Sequence, residues 1–409
     1  MQINNKKIIT IIGVIYSSLY HLESVAQAEE VTKAPEVKTS SLSTYDIAKP
    51  TSWITDKLSI IIDSNHYSWR SDNQRSGYQT IIPITATYKL GNAEFGVRTA
   101  YIESENTSAG RRGRVSTISD TALSVAYMQA LNRGWGIRYN LDYNAPTGKA
   151  TLSGSEKNAI MDGNLVQQTR FGEGHNLTPG FVVTKAFTQN FALGLGLSHT
   201  WRGSFDPNGD VIDDKYNPGD ENRATLQAHY QSDRLLAIGG LIYTKSDTTQ
   251  VDGKDYFEKG DRYDANLTTI FALPYNQQLL AGLRYSTQSP DAYINNITGN
   301  FAKESRNING DTKFVNVEYS KIIKEKHRLS LSADYLSIEA NSYDQLNDLY
   351  NAGRKKWSMG LGYGYQADKK TRFNVGINHF DMTDKATPAT LVDTKYAGWN
   401  ISAGINYGF

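Results

Sequence analysis

From about Lys57 to Phe409, apolar and polar residues alternate with a period of two. Trp135, Ile137, Tyr139, Leu141 and Tyr143 are interleaved with Gly136, Arg138, Asn140, Asp142 and Asn144. Phe373, Val375 and Ile377 alternate with Arg372, Asn374, Gly376 and Asn378. The last run sets Trp399, Ile401, Ala403, Ile405, Tyr407 and Phe409 against Asn400, Ser402, Gly404, Asn406 and Gly408. Successive side chains of a strand point to opposite faces. Each run therefore predicts a strand with one apolar, aromatic face and one small, polar or charged face.

A soluble β-sandwich also alternates, because its outer face is wet. Three features predict instead an all-β fold, a transmembrane antiparallel up-and-down β-barrel. The runs match the ~9–11 residues that cross a tilted bilayer. Aromatics on the apolar face gather toward strand ends, as interfacial girdles do: Trp135, Tyr143, Trp357, Tyr365, Trp399 and Tyr407. The connections alternate between short and long.

Short turns fall near Leu90–Ala93, Leu131–Gly134, Thr188–Asn190, Ser232–Arg234, Pro274–Gln277, Lys324–His327 and Asp368–Thr371. Long loops fall near Ser71–Ser76, Glu105–Arg114, Lys149–Gly174, Ser204–Asp220, Asp247–Gly260, Pro290–Ile308, Asn341–Gly353 and Asp384–Thr394. These connections join sixteen strands, with both termini periplasmic and the long loops outside, as in outer-membrane barrels. Fourteen strands follow if Leu58–Trp69 does not pair, and twelve if further alternating runs go unused.

The chain before the barrel reads differently. Lys6 and Lys7 precede an apolar run from Ile8 to Tyr20, and Ala26-Gln27-Ala28 offers a small-residue cleavage site. This predicts a secretory signal peptide over 1–28. Residues 29–52 are polar and unpatterned and predict a flexible periplasmic tail, with the barrel occupying 53–409. The tail is too short to form an energy-coupling plug. Together these features predict the bacterial cell outer membrane.

Composition narrows the chemistry. There is no cysteine, which removes disulfides, thiolate metal sites and cysteine nucleophiles together. Lys and Arg number 43 against 42 Asp and Glu, so no basic excess points to nucleic acid. The seven histidines show no metal-ligand spacing, and no cofactor is expected.

On the faces expected to point inward lie Arg98, Arg138, Asp142, Arg223, Asp264, Arg284, Glu318, Arg328, Asp334 and Arg372, the pore-lining candidates. Lys89, Glu94 and His229 share that face. A sixteen-stranded barrel is wide enough for an aqueous lumen. Opposed charges on such a wall either orient solutes in a transverse field or neutralise each other as ion pairs. The Gly148–Gly174 loop could fold inward as a constriction or cap the mouth. Leu152, Ile160, Met161 and Leu165 sit at roughly helical spacing and predict a short helix in it.

Three local motifs point elsewhere. His66-Tyr67-Ser68 would place a histidine and a serine on one strand face, a pairing used in nucleophilic hydrolysis and carried by outer-membrane phospholipases. Those enzymes continue with a polar Asn-Gly where Trp69-Arg70 stand here, so no enzymatic activity is expected. Asp206, Asp210, Asp213 and Asp214 crowd one outer loop, but Val211 and Asn217 replace the glycine and glutamate of a calcium-binding loop. Arg111, Arg112 and Arg114 form a basic loop tip that could meet lipopolysaccharide.

The terminal strand carries a further signal. Trp399, Tyr407 and Phe409 resemble the C-terminal signature that outer-membrane barrels present to the barrel-assembly machinery. Over residues 115–245, three segments resemble the outer-membrane family named for the meta-pathway of phenol degradation. They are Ser119-Asp120-Thr121-Ala122-Leu123 leading to Tyr127, Asn144-Ala145-Pro146-Thr147-Gly148-Lys149, and Tyr216-Asn217-Pro218-Gly219-Asp220. The resemblance implies a barrel that moves hydrophobic or aromatic compounds across the outer membrane. It assigns no ligand-contacting residue. The charge-rich inner face departs from it and suits hydrophilic solutes better.

The first expectation is thus a passive channel for small solutes with a charged lumen. The rivals are a closed-lumen receptor or adhesin, gated uptake of hydrophobic compounds, and a barrel enzyme at the membrane surface. The pattern leaves monomer and homotrimer both open, and it does not identify the solute.

Overall fold

The computed structural model describes residues 58–212, 215–295 and 298–409. The leader, the tail and Asp213 and Asp214 lie outside the described residues. Sixteen strands close into one antiparallel barrel. In chain order they are β1 (Leu58–Ser71), β2 (Ser76–Leu90), β3 (Ala93–Ser108), and β4, built from Arg111–Ile118 and Thr121–Ala130. β5 (Trp135–Ala145), β6 (Asn176–Ala186), β7 (Phe191–Arg202) and β8 (Glu221–Gln231) follow. Then come β9 (Leu235–Ser246), β10 (Arg262–Leu273), β11 (Gln277–Gln288) and β12 (Thr312–Ile323). The last four are β13 (His327–Ile338), β14 (Arg354–Gln366), β15 (Thr371–Asp384) and β16 (Thr394–Gly408).

Every strand pairs with its sequence neighbour, and β1 pairs with both β2 and β16. The Leu58–Trp69 run therefore pairs on both sides, and the fourteen- and twelve-strand options fall away. Closure leaves no open edge, which a spanning sheet requires, because lipid offers no partner to a bare N–H or C=O.

The alternation separates two faces. On β14, Trp357, Met359, Leu361 and Tyr363 are exposed, while Ser358 between them is buried. Large apolar side chains repeat this exposure on every side of the barrel, from Phe95 and Val97 on β3 to Leu329 and Leu331 on β13. Such a continuous apolar outer surface has only lipid as its solvent. The girdle residues separate into two belts. Trp357 and Trp399 lie near the long-loop ends of β14 and β16, and Tyr365 and Tyr407 near the short-turn ends. Eight residues separate Trp357 from Tyr365, roughly 20 Å along the membrane normal at the usual tilt. The barrel resides in the outer membrane.

The seven short turns stand where the alternation puts them. Two use paired left-handed residues, Tyr275-Asn276 at φ 61° and 58° and Lys324-Glu325 at φ 50° and 58°. One long connection is corrected. Glu105–Arg114 is a continuation of β3 and β4 beyond the barrel, closed by Ala109-Gly110 at φ 50° and 74°. Left-handed backbone at both central positions is what a two-residue hairpin needs. The polar sequence hid it, because a strand in water has no apolar face to display.

Parts of three other outer loops form a second small sheet from Tyr216–Asn217, Thr248–Val251, Lys254–Glu258, Ala292–Ile294 and Phe301–Lys303.

Candidate functional site

The largest buried apolar cluster among the described residues lies inside the outer mouth. It joins inward side chains of β1 to β4, β15 and β16 with the connection between β5 and β6. Tyr67, Trp69, Ile81, Ile102, Val115, Phe380, Met382 and Tyr396 form the wall part. Leu152, Ala159, Met161, Leu165, Val166 and Phe171 form the loop part. The long loop therefore folds inward. Its helix is a short 3-10 segment at Gly154–Ala159, bounded by a Ser153–Glu156 capping box. The expected helix at Leu152–Leu165 is corrected in position: Met161, Leu165 and Val166 reach the cluster through tight turns instead.

Polar groups stitch the loop to the wall on several sides. Ser104 Oγ donates to Ala159 O at 3.1 Å, and Asn106 Nδ2 to Asn158 O at 2.8 Å. Gln79 and Gln168 exchange two bonds of 2.8 Å, side chain to main chain. Trp69 Nε1 points at Met161 Sδ, 3.3 Å away. On β14, Arg354 bridges Asp162 of the loop at 2.7 Å and Asp384 of β15 at 2.5 Å. Gly113 lets the 3-10 segment approach β4, since a Cβ there would collide with Ser155 O and Ala159 N.

The loop's base is held separately. Asp120 interrupts β4, and its carboxylate accepts from Gly148 N at 2.8 Å, Asn144 Nδ2 at 2.8 Å and Glu173 N at 2.7 Å. Thr147 Oγ1 donates to Ser119 O at 3.0 Å. Glu173 then pairs with buried Arg202 at 3.3 Å, and Arg202 with Glu221 at 3.2 Å. Arg202 N donates to Asp220 Oδ1 at 2.9 Å. The three segments that carried the family resemblance thus meet at one rim, two of them as the two halves of a clasp.

A further anchor comes from the β7–β8 connection, and an ion pair braces the loop internally. Lys157 pairs with Asp210 at 2.7 Å, and Gly154 N donates to Asp210 Oδ1 at 2.9 Å. Lys149 pairs with Glu156 at 2.5 Å. Hydrogen bonds from the lysines hold both the Asp210 and the Glu156 carboxyls below their ordinary ranges. Asp210 is engaged with the loop, and Asp206 caps Asn208 N at 2.8 Å. No group of three or more potential metal ligands occurs among the described residues.

Below the mouth the ten pore-lining candidates all occupy the inner face of their strands. They gather into paired groups. Asp264 lies between Arg262 at 3.0 Å and Arg284 at 3.3 Å. Glu318 pairs with Arg328 at 3.3 Å, with Arg372 in electrostatic reach. Arg138 meets Glu94 at 4.0 Å, and Glu94 meets Lys89 at 3.4 Å. Arg98 faces Asp63, and Arg223 pairs with Glu221 at 3.6 Å. Asn140 Nδ2 donates to Asp142 at 3.3 Å, and Asp334 faces Lys356. The wall charges are largely neutralised in place.

Between them runs a repeated packing device. Inward glycines sit directly opposite inward Ser, Asn or Asp on the next strand. The register pairs are Gly96–Ser124, Gly180–Asn140, Gly240–Asn266, Gly282–Asn316, Gly360–Ser332, Gly362–Ser330, Gly376–Ser402 and Gly404–Asp63. A Cβ at each of these glycines would lie against the partner's polar side chain. The polar group lies along the wall in the space that the glycine leaves.

Sequence reasoning missed Asp120, Glu173, Arg202, Asp162, Arg354 and Asp384. The first was legible as part of a quoted segment. Arg354 and its two acids carried no signal, because their proximity depends on the path of the loop.

Fold and mouth together define an outer-membrane β-barrel whose outer entrance is occupied by an inward, multiply anchored loop. Similar solved structures are outer-membrane channels. The toluene transporter TodX of P. putida is 10% identical, with 86% of this chain and 89% of that chain covered and a TM-score of 0.41. OpdK of Pseudomonas aeruginosa is 12% identical, with 86% and 99% covered and a TM-score of 0.40. An outer membrane channel of Pseudomonas putida F1 is 15% identical, with 64% and 94% covered and a TM-score of 0.40. No family model and no curated protein matches the chain.

Proposed function

We propose that this barrel is a passive outer-membrane channel for small hydrophilic solutes, narrowed at its outer mouth by residues 146–175. The observation that carries this reading is the loop itself. It enters the barrel and docks on one sector of the wall, where it is held at its base and at its far side. A solute entering from outside would pass this loop and then a wall of paired charges and short polar groups. Such a wall can replace hydration while leaving little net field. We assign the lumenal role to the ten inward residues named above.

The aromatic side chains of the mouth favour hydrophilic traffic over hydrophobic uptake. Trp69, Phe171, Phe380 and Tyr396 are covered by the loop and by each other. The uptake of aromatic compounds implied by the phenol meta-pathway resemblance remains the second reading, favoured only if the loop undocks. We also assign the β16 residues Trp399, Tyr407 and Phe409 to recognition by the assembly machinery.

The test is single-channel recording from the folded barrel in a planar bilayer. Replacing residues 150–171 by a short Gly-Ser linker leaves the Asp120 clasp in place and should raise conductance. Equal conductance with and without the segment would remove the constriction. A folded wild-type barrel that never conducts would favour the closed receptor.

A further inference from the structure

The outside of the barrel carries an ordered polar surface at its outer rim. Outward residues of β1 to β4 line up there in register rows. Arg70, Ser76, Thr107 and Arg112 occupy one row, and Ser68, Tyr78, Glu105 and Arg114 the next. Four strands at their usual spacing set Arg70 and Arg112 about 14 Å apart along the row. A cavity of about 380 Å³ opens on this face, and its lining includes Ser68, Ser76, Tyr78, Glu105 and Thr107.

The charges on this face are layered. Arg112 Nε and Nη2 donate to the two oxygens of Glu105 at 2.9 Å and 2.7 Å, and Arg114 Nη2 donates to Glu103 at 2.6 Å. Tyr78 Oη donates to Glu103 at 3.0 Å. The carboxylates lie beneath their partners. Side-chain exposure is 15% for Glu105 and 24% for Glu103, against 66% for Arg112 and 58% for Arg114. The acids therefore orient the guanidinium groups, and the face met from outside is cationic. Each guanidinium keeps N–H groups that these bonds do not use. Arg70 is also exposed and has no carboxylate partner among the described residues.

The depth of the rows selects the ligand. Ser68 is the register partner of Trp399 on β16, in the outer aromatic belt. That belt marks the headgroup level. Membrane-ward of it, Ile62, Ile84 and Ile401 are exposed apolar side chains that acyl chains would cover. A ligand matched to this surface carries anionic groups on a polar headgroup about as long as the row, with acyl chains attached.

We propose that the outward face of β1–β4 at the outer rim binds the phosphorylated disaccharide headgroup of the outer-leaflet glycolipid, the lipid A part of lipopolysaccharide. Arg70 at one end of the row, and Arg112 with Arg114 at the other, hold its phosphates. A guanidinium meets phosphate oxygens through two parallel N–H···O bonds, which gives such a contact both strength and direction. The hydroxyls of Ser68, Ser76 and Thr107 lie between the two cationic ends and suit the sugar hydroxyls. The site lies outside the lumen, so it is independent of the channel reading.

The experiment titrates the folded full-length barrel in detergent with diphosphorylated lipid A and follows retained lipid by native mass spectrometry. Lipid A stripped of its phosphates should bind at least about tenfold more weakly, the worth of one charge-assisted bond. The double variant Arg112→Gln/Arg114→Gln and, separately, Arg70→Gln should each weaken lipid A binding by about the same factor, while heat-modifiability shows the barrel intact. Arg70 stands outside the β3–β4 hairpin, so its variant tests the site even where the double variant loosens that hairpin. Phosphatidylglycerol and inorganic phosphate, the other anionic candidates, should not displace the bound glycolipid. No retention by wild-type protein, equal binding with and without the phosphates, unchanged affinity in either variant, or displacement by phosphatidylglycerol or inorganic phosphate would overturn the proposal.

Discussion

Single residues set the bore of this barrel. An inward glycine opposite Ser, Asn or Asp keeps the inner face polar without adding height to it. Replacing Gly362 or Gly376 by Ala should push Ser330 or Ser402 toward the axis. We expect smaller conductance from a barrel that still folds, since glycine in a strand is if anything unfavourable. Conductance of Gly362→Ala equal to wild type, measured on heat-modifiable protein, would contradict this. The alternation in the sequence showed these glycines as polar-face residues. Their cross-strand partners needed the register, which no single strand contains.

At the scale of elements, strands and turns were legible and the loops were not. A strand in lipid must satisfy a period of two along its whole length, so Leu329, Leu331 and their like announce themselves. A loop obeys no such period. The β3–β4 hairpin looked like a loop because both of its faces are wet, and Arg112 and Arg114 there pair with Glu105 and Glu103 at 2.7 Å and 2.6 Å. The inward course of the β5–β6 connection was one of two options until its partners were seen. Arg354 is the residue on which its far side depends. Removing one member of a buried ion pair costs about 3–5 kcal/mol, against ~1.4 kcal/mol for each tenfold change in an equilibrium. Arg354→Ala, which strands Asp162 and Asp384 without their cation, should release the loop. The expected signature is larger, noisier current and new protease cleavage between 155 and 170. A quiet channel of wild-type conductance would assign the anchoring to the apolar cluster and the remaining hydrogen bonds.

For the whole molecule, acid is the simplest probe of how loop and barrel are coupled. Glu156 and Asp210 have folded-state pKa values below their ordinary 4.5 and 3.8. Carboxyls depressed in this way stabilise the docked state above the ordinary value and lose that contribution as pH falls through the depressed one. Their contribution should therefore be lost, with a change in conductance, below about pH 4. The same measurement in Lys157→Met, which removes the cation from Asp210, should show a weaker acid response.

The seam between β1 and β16 has a consequence for how the molecule is made. Phe409 N donates to Leu58 O at 2.8 Å, and thirteen residues of β1, Ser59 to Ser71, are in register with β16. The last strand of the barrel in chain order is thus the one that shuts the cylinder onto the first. A chain stopped upstream of Thr394 would leave β1 and β15 each without a partner on one side, and it should fail to give heat-modifiable protein or any single-channel current.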